Sequence, residues 1–156
     1  MRTKDVGATP PPPVWLAAAT GLQLMLGRHC RPSRGSRLAA FAIAGGSAVL
    51  AARSVAAMRR HGTTISPDHP ERTRVLVADG PFALTRNPVY LALTGMLVAH
   101  AVLRRSLAML VPAAGFVAVI DRTQVAREEQ ALRHRFGKRY DAYRRAVPRW
   151  FGTPEA

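Results

Sequence analysis

The sequence predicts an all-α, polytopic membrane protein with about four short transmembrane helices and a C-terminal amphipathic helical tail. Two observations lead to this class: four long runs carry almost no charge, and Arg and Lys cluster between them. Apolar types make up 48% of the 156 residues, yet the formal net charge is +14 and the pI is about 11.7. That charge indicates an acidic environment, which is nucleic acid, an anionic membrane surface or an anionic substrate.

The apolar runs cover residues 14–27, 38–52, 88–103 and 106–120. The second run reaches residue 58 if Arg53 is accepted. An upright crossing takes roughly 20 residues, and flanking arginines extend shorter runs by reaching back to the interface. Four consecutive prolines at 10–13 predict that the first helix begins at or after Pro13, which leaves residues 1–13 as a flexible N-terminus.

A soluble four-helix bundle is the alternative to a membrane fold. Its helices would need polar residues on the outward face at 3.6-residue spacing. The run 38–52 has only Ser47, and the run 106–120 has none after its first residue. A chain of 156 residues lacks the interior to hide four helices that are apolar on every side. A cleaved signal peptide at 14–26 is disfavoured by the preceding prolines and by the lack of a small-x-small cleavage site.

The third and fourth runs are joined only by Arg104 and Arg105, which predicts a tight antiparallel helix hairpin. The two open ends of such a hairpin lie side by side, so the linker 59–87 faces the tail 121–149. This tail holds nine Arg or Lys against four acids, and the positive-inside rule places its face in the cytoplasm. Four arginines of the first loop fall on the opposite side in this topology: Arg28, Arg31, Arg34 and Arg37.

The tail is expected to continue the fourth helix beyond residue 120 as an amphipathic helix. One stripe of it carries Val125, Glu129, Leu132 and Phe136. Gly137 is a suitable stop, because glycine accepts the left-handed conformation that follows many helices. Considered alone, Glu129 has a simple structural interpretation, an i,i+4 ion pair with Arg133 worth a few tenths of a kcal/mol. The basic face of the tail attracts anionic lipid at about 1 kcal/mol per charge.

A second short helix is expected at roughly 138–146, where Tyr140 and Tyr143 are three residues apart. Trp150 and Phe151 follow it. Aromatic side chains beside a basic amphipathic segment are typical of a membrane interface, so we expect Trp150 and Phe151 to lie at the bilayer surface.

The sequence lacks the usual ligands for a metal. Cys30 is the only cysteine, which excludes an intramolecular disulfide and a cysteine-based zinc site and leaves it as a plain free thiol. The five histidines contain no HxxxH pair. No serine triad or paired acid and base is visible either, so no catalytic residue is assigned.

Two segments together carry a resemblance to a known family. The first is GTTISPDHPERTRVLVADGPFALTRNPVYLAL, from residue 62, and the second is REEQALRHRFGKRYDAYRRAVPRW, from residue 127. Their ordered pattern is Gly-Pro-aromatic, Arg-Asn-Pro-x-Tyr, a helix hairpin, Glu-Glu, Phe-Gly-x-x-Tyr-x-x-Tyr and Val-Pro-Arg. Over about 62–151 the chain resembles the isoprenylcysteine carboxyl methyltransferase and phospholipid methyltransferase group of integral membrane enzymes, whose four-span bacterial members are similar in size.

The resemblance implies S-adenosylmethionine as the methyl donor and a single membrane methyltransferase domain over 1–156. Residues 14–58 would form the two N-terminal spans, and residues 59–156 would form the cofactor site from linker, hairpin and tail. Carried over by position, the cofactor-binding residues are Arg74, Val75, Leu76, Val77, Phe82, Arg86, Asn87, Pro88, Val89, Tyr90, Glu128 and Glu129.

The chain departs from the family pattern at three places. Asn87 stands where eukaryotic relatives have His, and Phe82 stands where many have Tyr. Gln124 lies four residues before Glu128, where relatives often have an Arg attributed to substrate binding. The resemblance therefore implies Gln124 as a substrate residue, and this departure weakens the case for a prenylcysteine substrate.

The residue types suit such a donor. A carboxylate such as Glu128 accepts hydrogen bonds from a ribose hydroxyl or an amine. Pro88 begins a helix whose free N–H groups can meet a carboxylate, and the rings of Tyr90 and Phe82 can cover a sulfonium. Polar groups at a helix mouth are costly in lipid unless they line a cavity. We therefore expect Tyr90 and Glu128 to border one pocket that faces the cytoplasm.

The predicted activity is methyl transfer to an amphiphilic or small acceptor at the cytoplasmic face of a bacterial inner or plasma membrane, with no nucleic acid or metal involved. An amine or hydroxyl acceptor would use a base, for which Glu128, Glu129 and a nearby His remain open. The alternatives are a non-enzymatic membrane binding or scaffold protein that keeps the fold, and a soluble basic nucleic-acid binder. The second alternative needs aromatics interleaved with the basic residues, and aromatics are only 6% of the chain.

Overall fold

The computed structural model describes residues 10–29, 31–62 and 75–152, so Arg74, Cys30 and the first nine residues lie outside the described part. Within these ranges the chain forms helices and turns and no strand, which confirms the all-α class. The α-helices are α1 Pro12–Leu26, α2 Arg34–Arg60, α3 Pro88–Leu103, α4 Leu110–Ile120, α5 Ala126–Phe136 and α6 Lys138–Ala146. Shorter helical turns occur at Gly80–Ala83 and Leu107–Met109, which are 3₁₀, and at Asp121–Val125, which is π.

The first two helices begin on local signals in the sequence. α1 begins at Pro12, one residue earlier than predicted, because a proline in the first helical positions breaks no intrahelical hydrogen bond. α2 begins on a capping box, in which the Ser36 N–H donates to Ser33 Oγ and the Ser33 N–H donates to Ser36 Oγ. It continues past the exposed Arg53 to Arg60, so the longer version of the second run is the observed one.

α2 and α3 pack against each other in antiparallel orientation. The Ser36 hydroxyl, at the start of α2, donates to the Leu103 carbonyl at the end of α3 at 3.2 Å. Midway, Gly95 of α3 lies so close to Ser47 of α2 that an added Cβ would come within 3.2 Å of the Ser47 Cβ and would overlap its hydroxyl oxygen. A small residue at this point is what lets the two backbones approach.

The predicted hairpin between α3 and α4 is observed. Arg105 closes its turn at φ 52°, with its N–H donating to the Val102 carbonyl and the Ser106 N–H donating to the Ala101 carbonyl. This pair of bonds is a Schellman motif. The Arg104 guanidinium donates to the Gly27 carbonyl, so the first loop and the hairpin turn lie at the same end of the bundle.

A buried polar network attaches α1 to the hairpin. Gln23 is fully buried, and its Nε2 donates to the Leu97 carbonyl at 2.9 Å and to the Met109 carbonyl at 2.8 Å. Its Oε1 lies 3.0 Å from His100 Nδ1. A polar side chain among apolar helices is costly unless its hydrogen bonds are made, and these three contacts satisfy it.

The fourth helix continues into the tail, as predicted, but through a π-helical turn. Leu107–Phe136 is one helix of 30 residues in which the turn Asp121–Val125 separates α4 from α5. The Thr123 hydroxyl donates to the Val119 carbonyl at 2.7 Å. Thr20 and Thr94 make the same kind of bond inside the regular helices α1 and α3, so this bond by itself does not explain the π turn.

Two helices are long and apolar enough, by length and composition, to cross a membrane: α2 with 27 residues and Leu107–Phe136 with 30. α1 and α3 are shorter apolar helices of 15 and 16 residues. Large apolar side chains point outward from the bundle, among them Leu38 at 74% exposure and Phe41 at 72%. Such a surface suits lipid, and the fold is that of a small polytopic membrane protein.

Candidate functional site

The open end of the hairpin brings α3 and the π turn together. The Tyr90 hydroxyl, on the first turn of α3, donates to Glu128 Oε1 at 2.7 Å. Gln124 Nε2, from the π turn, donates to the same oxygen at 2.8 Å. Tyr90 and Gln124 are both buried. The predicted proximity of Tyr90 and Glu128 is therefore observed, and Gln124 lies in the same cluster.

Glu128 is a carboxylate held by uncharged donors. Both hydrogen bonds to it end on Oε1, and its Oε2 accepts none within the part of the chain that the structure describes. Gln124 is held in turn from its other side, because Arg127 donates to Gln124 Oε1 at 2.7 Å. The cluster therefore has one carboxylate oxygen that can accept a hydrogen bond from a bound molecule.

Glu129, the next residue, is paired with two arginines. One Arg86 nitrogen lies 3.3 Å from Glu129 Oε1, and the Arg149 guanidinium spans both oxygens, at 2.6 Å to Oε2 and 3.2 Å to Oε1. The Arg86 side chain is only 2% exposed and that of Glu129 13%. A buried guanidinium needs a counter-charge, so this carboxylate stabilises the fold around the site.

The local interpretation of Glu129 as a partner of Arg133 is therefore wrong. Arg133 pairs instead with Asp141 at 3.1 Å, and its side chain is 61% exposed. An exposed i,i+4 pair is worth only a few tenths of a kcal/mol. The buried Arg86 and the bidentate Arg149 offer Glu129 much stronger partners.

Residues 147–150, which we call the C-terminal strap, lie across the turn that precedes α3. The Arg86 N–H donates to the Pro148 carbonyl at 2.9 Å. The Arg149 carbonyl accepts two bonds, from Thr85 Oγ1 at 2.9 Å and from Asn87 Nδ2 at 3.0 Å. The end of the tail thus orients the Arg-Asn-Pro segment directly.

The strap also reaches the π turn. Trp150 Nε1 donates to Asp121 Oδ1 at 2.8 Å, and an Arg149 nitrogen lies 3.4 Å from the same oxygen. Trp150 is half-buried and packs against the core, whereas Phe151 is 77% exposed. Of the two predicted interface aromatics, only Phe151 presents its ring outward.

The end of the linker rests on a hydrophobic cluster formed by α6 and the first residue of the strap. Leu76 packs against Tyr140, Tyr143 and Val147, and the Tyr143 hydroxyl donates to the Phe82 carbonyl at 2.7 Å. Burial raises the pKa of Tyr143 above its ordinary value, so its hydroxyl remains a donor over the physiological pH range. This contact positions the turn Gly80–Ala83 beside the start of α3.

The structure brings most of the predicted site residues to one end of the bundle. Pro88 is fully buried in the first turn of α3 next to Val89, and Val77 is buried in the linker, while Val75 is 39% exposed. Sequence reasoning missed the parts played by Thr85, Asp121 and Arg149. The available signal was weak: Asp121 is an acid at the end of an apolar run, and Arg149 closes the Val-Pro-Arg segment. Among the described residues, no group of three or more His, Cys, Asp or Glu is placed to hold a metal ion.

The all-helical fold and the polar cluster at the open end of the helix hairpin place this protein in the class of small polytopic membrane proteins. Residues 36–139, two thirds of the chain, match the family model described as phospholipid methyltransferase. The chain belongs to the phospholipid methyltransferase family, which gives it a methyltransferase role at a membrane. Comparisons with curated proteins and with solved structures gave no match.

Proposed function

We propose that the protein transfers a methyl group from S-adenosylmethionine to an amphiphilic or small acceptor at the cytoplasmic face of the membrane. Family membership supports the reaction type. The observation that carries the rest is the unequal use of the two adjacent glutamates. Glu129 is committed to Arg86 and Arg149, whereas Glu128 is held only through Oε1. Glu128 is therefore the carboxylate that meets the donor.

The residues at the hairpin mouth fit the functional groups of this donor. Glu128 Oε2 would accept from a ribose hydroxyl or the amine. The start of α3 suits the donor's carboxylate, because the N-terminus of a helix favours negative charge. Phe82 and Tyr90 supply rings for the adenine or the sulfonium. Val75, Leu76 and Val77 would contribute the linker wall, while Arg74 lies outside the described residues.

The chemistry supplied by the donor is a methyl group activated by a positively charged sulfur. The protein's contribution is to align the acceptor with that methyl group and to exclude water, because displacement at carbon depends on in-line geometry. Gln124 is proposed to meet the acceptor, and its contact with Arg127 at the surface supports that side of the site. No base is assigned.

The proposed face and acceptor follow from charge and surroundings. The tail at the mouth carries nine Arg or Lys against four acids, which favours the cytoplasmic side of a bacterial inner membrane. An amphiphilic acceptor would keep its tail in the bilayer between helices while its polar head reaches Gln124. The lipid bilayer is thus both solvent for the fold and source of the acceptor.

Donor binding by calorimetry on detergent-purified protein tests this function. Wild type is expected to bind S-adenosylmethionine, and Glu128→Gln to bind at least about tenfold more weakly, since a hydrogen bond to a charged group is worth about 1.5–3 kcal/mol. Tyr90→Phe removes one donor to Glu128 and should weaken binding less. Asp141→Asn is the matched control, because Asp141 pairs with the exposed Arg133, and it should leave binding unchanged.

Absence of binding heat from wild type at millimolar donor would contradict the proposal and favour a non-enzymatic membrane protein. Where binding is seen, the acceptor is found by incubating the protein with radiolabelled donor, extracted membrane lipids and a water-soluble metabolite extract. A labelled lipid that depends on Glu128 would identify the acceptor class. Label confined to small water-soluble compounds would exclude a lipid acceptor.

A further inference from the structure

We propose that Arg149 is a positioning residue for donor binding, which docks the C-terminal strap and thereby sets the orientation of Asn87 and the charge state around Glu128. This inference rests on the proposed function. Arg149 lies beyond residues 36–139, the range of the family match. It touches the residues that flank the proposed donor contacts.

The backbone of the strap acts on the start of α3. Asn87 is the N-cap of α3, and its side chain makes no capping bond to the helix. Its Nδ2 donates instead to the Arg149 carbonyl, which Thr85 Oγ1 also reaches. A side-chain amide has an oxygen that accepts hydrogen bonds and a nitrogen that donates them. This bond turns the nitrogen of Asn87 toward the strap and leaves its oxygen on the other side. The first turn of α3 is thus oriented by a residue 62 positions later in the chain.

The side chain of the same residue acts on α5 and the π turn. Its guanidinium makes bidentate contact with Glu129 and approaches Asp121 at 3.4 Å. Planar, bidentate pairing is specific to arginine, and lysine cannot reproduce it. Arg149, together with Arg86, therefore neutralises Glu129, whose negative charge would otherwise repel that of Glu128.

These two actions converge on one structure. Loss of the guanidinium removes the charged contacts of the strap with Glu129 and Asp121. The strap then keeps the bond from the Trp150 indole to Asp121 and its bonds to the turn that precedes α3. The carbonyl that orients Asn87 then moves with the strap. One substitution at Arg149 should consequently loosen the strap and weaken donor binding together.

Fluorescence of Trp150 reports the docking without any cofactor. Trp15 and Trp150 are the two tryptophans, so Trp15→Phe leaves Trp150 as the sole emitter. Adding Arg149→Gln should shift the emission to longer wavelength and increase quenching by iodide. Arg145→Gln, which neutralises an exposed arginine of α6, is the matched control and should leave both unchanged. An unchanged spectrum for Arg149→Gln would overturn the docking role.

Calorimetry with S-adenosylmethionine gives the second readout. Arg149→Gln should bind about tenfold more weakly than wild type, the effect of losing about 1.4 kcal/mol. Arg149→Lys should recover part of this loss, and it replaces Arg149→Gln if that variant does not fold. Normal affinity in both variants, beside binding by wild type, would overturn the role of Arg149 and leave the proposed function standing. Absence of binding by wild type would overturn both.

Discussion

Glu128 and Glu129 are consecutive residues of α5 with opposite surroundings. Glu128 accepts from a phenol and an amide, and Glu129 pairs with two guanidinium groups. A carboxylate that pairs with the buried Arg86 and the half-buried Arg149 contributes to stability, since removing it leaves a guanidinium charge buried. When a carboxylate held by neutral donors is replaced by an amide, the protein loses little stability, because both donors still find an oxygen acceptor.

We therefore expect the two glutamine substitutions to separate stability from binding. Glu129→Gln should destabilise the protein by about 3 kcal/mol, the low end of the cost of breaking a buried ion pair. Glu128→Gln should cost less than about 1 kcal/mol while weakening donor binding. Thermal unfolding in detergent, monitored by the circular dichroism of the helices, measures the stability of both variants. Calorimetry with S-adenosylmethionine measures their donor binding. Greater loss of stability in Glu128→Gln than in Glu129→Gln would contradict this division.

At the scale of elements, the contact between α2 and α3 depends on Gly95. Gly95→Ala places a methyl group against the Ser47 side chain, 3.2 Å from its Cβ and overlapping its hydroxyl oxygen. Overpacking of a tight contact costs about 1–3 kcal/mol, so the melting temperature in detergent should fall. Gly115→Ala in α4 is the control: nothing lies within 4 Å of its added Cβ, and replacing a helical glycine gains about 0.5–1 kcal/mol.

A Gly95→Ala protein as stable as wild type would mean that α2 and α3 separate at little cost. Partial recovery by Ser47→Gly in the Gly95→Ala background would assign the loss to this contact. Small residues such as Gly95 and Ser47 suit the contact between α2 and α3 because helices in lipid associate by close packing. The hydrophobic driving force that operates in water is absent between them.

At the scale of the whole molecule, the arginines are divided between two ends of the bundle. The first loop and the hairpin turn share one end, joined by the Arg104 contact to Gly27. The linker and tail share the other, joined by the strap. His61, at the end of α2, holds the linker there, because its Nε2 lies 3.1 Å from Asp79 Oδ1. This arrangement matches the predicted grouping of linker and tail, and the orientation in the membrane stays a prediction.

Single-cysteine labelling tests that orientation. In a Cys30→Ser background, Arg31→Cys marks the loop end and His134→Cys marks the tail end, and both residues are exposed. A membrane-impermeant maleimide applied to spheroplasts should label position 31, and should label position 134 only after lysis. The reverse pattern would contradict the cytoplasmic site. Labelling of both positions from outside would contradict a bundle that crosses the membrane.

Much of the fold could be predicted because its causes are local. The third apolar run coincides with α3 at Pro88–Leu103, the second tail helix coincides with α6 at Lys138–Ala146, and Gly137 ends α5 at φ 50°. A proline at a helix start, a glycine after a helix end and an uninterrupted apolar run each act within a few residues. The π turn escaped prediction because its residues, Asp121–Val125, include no proline or glycine that would mark a change in the helix.

The sequence by itself determined that this chain forms apolar helices with a hairpin whose open end is polar. It also predicted that Tyr90 and Glu128 lie together at that end. Only the tertiary structure decided which charges pair. Glu129 had Arg133 as a neighbour along the helix, yet it binds Arg86 and Arg149. The physical reason is that the strength of an ion pair depends on burial and geometry, and both arise from contacts between residues that are distant along the chain.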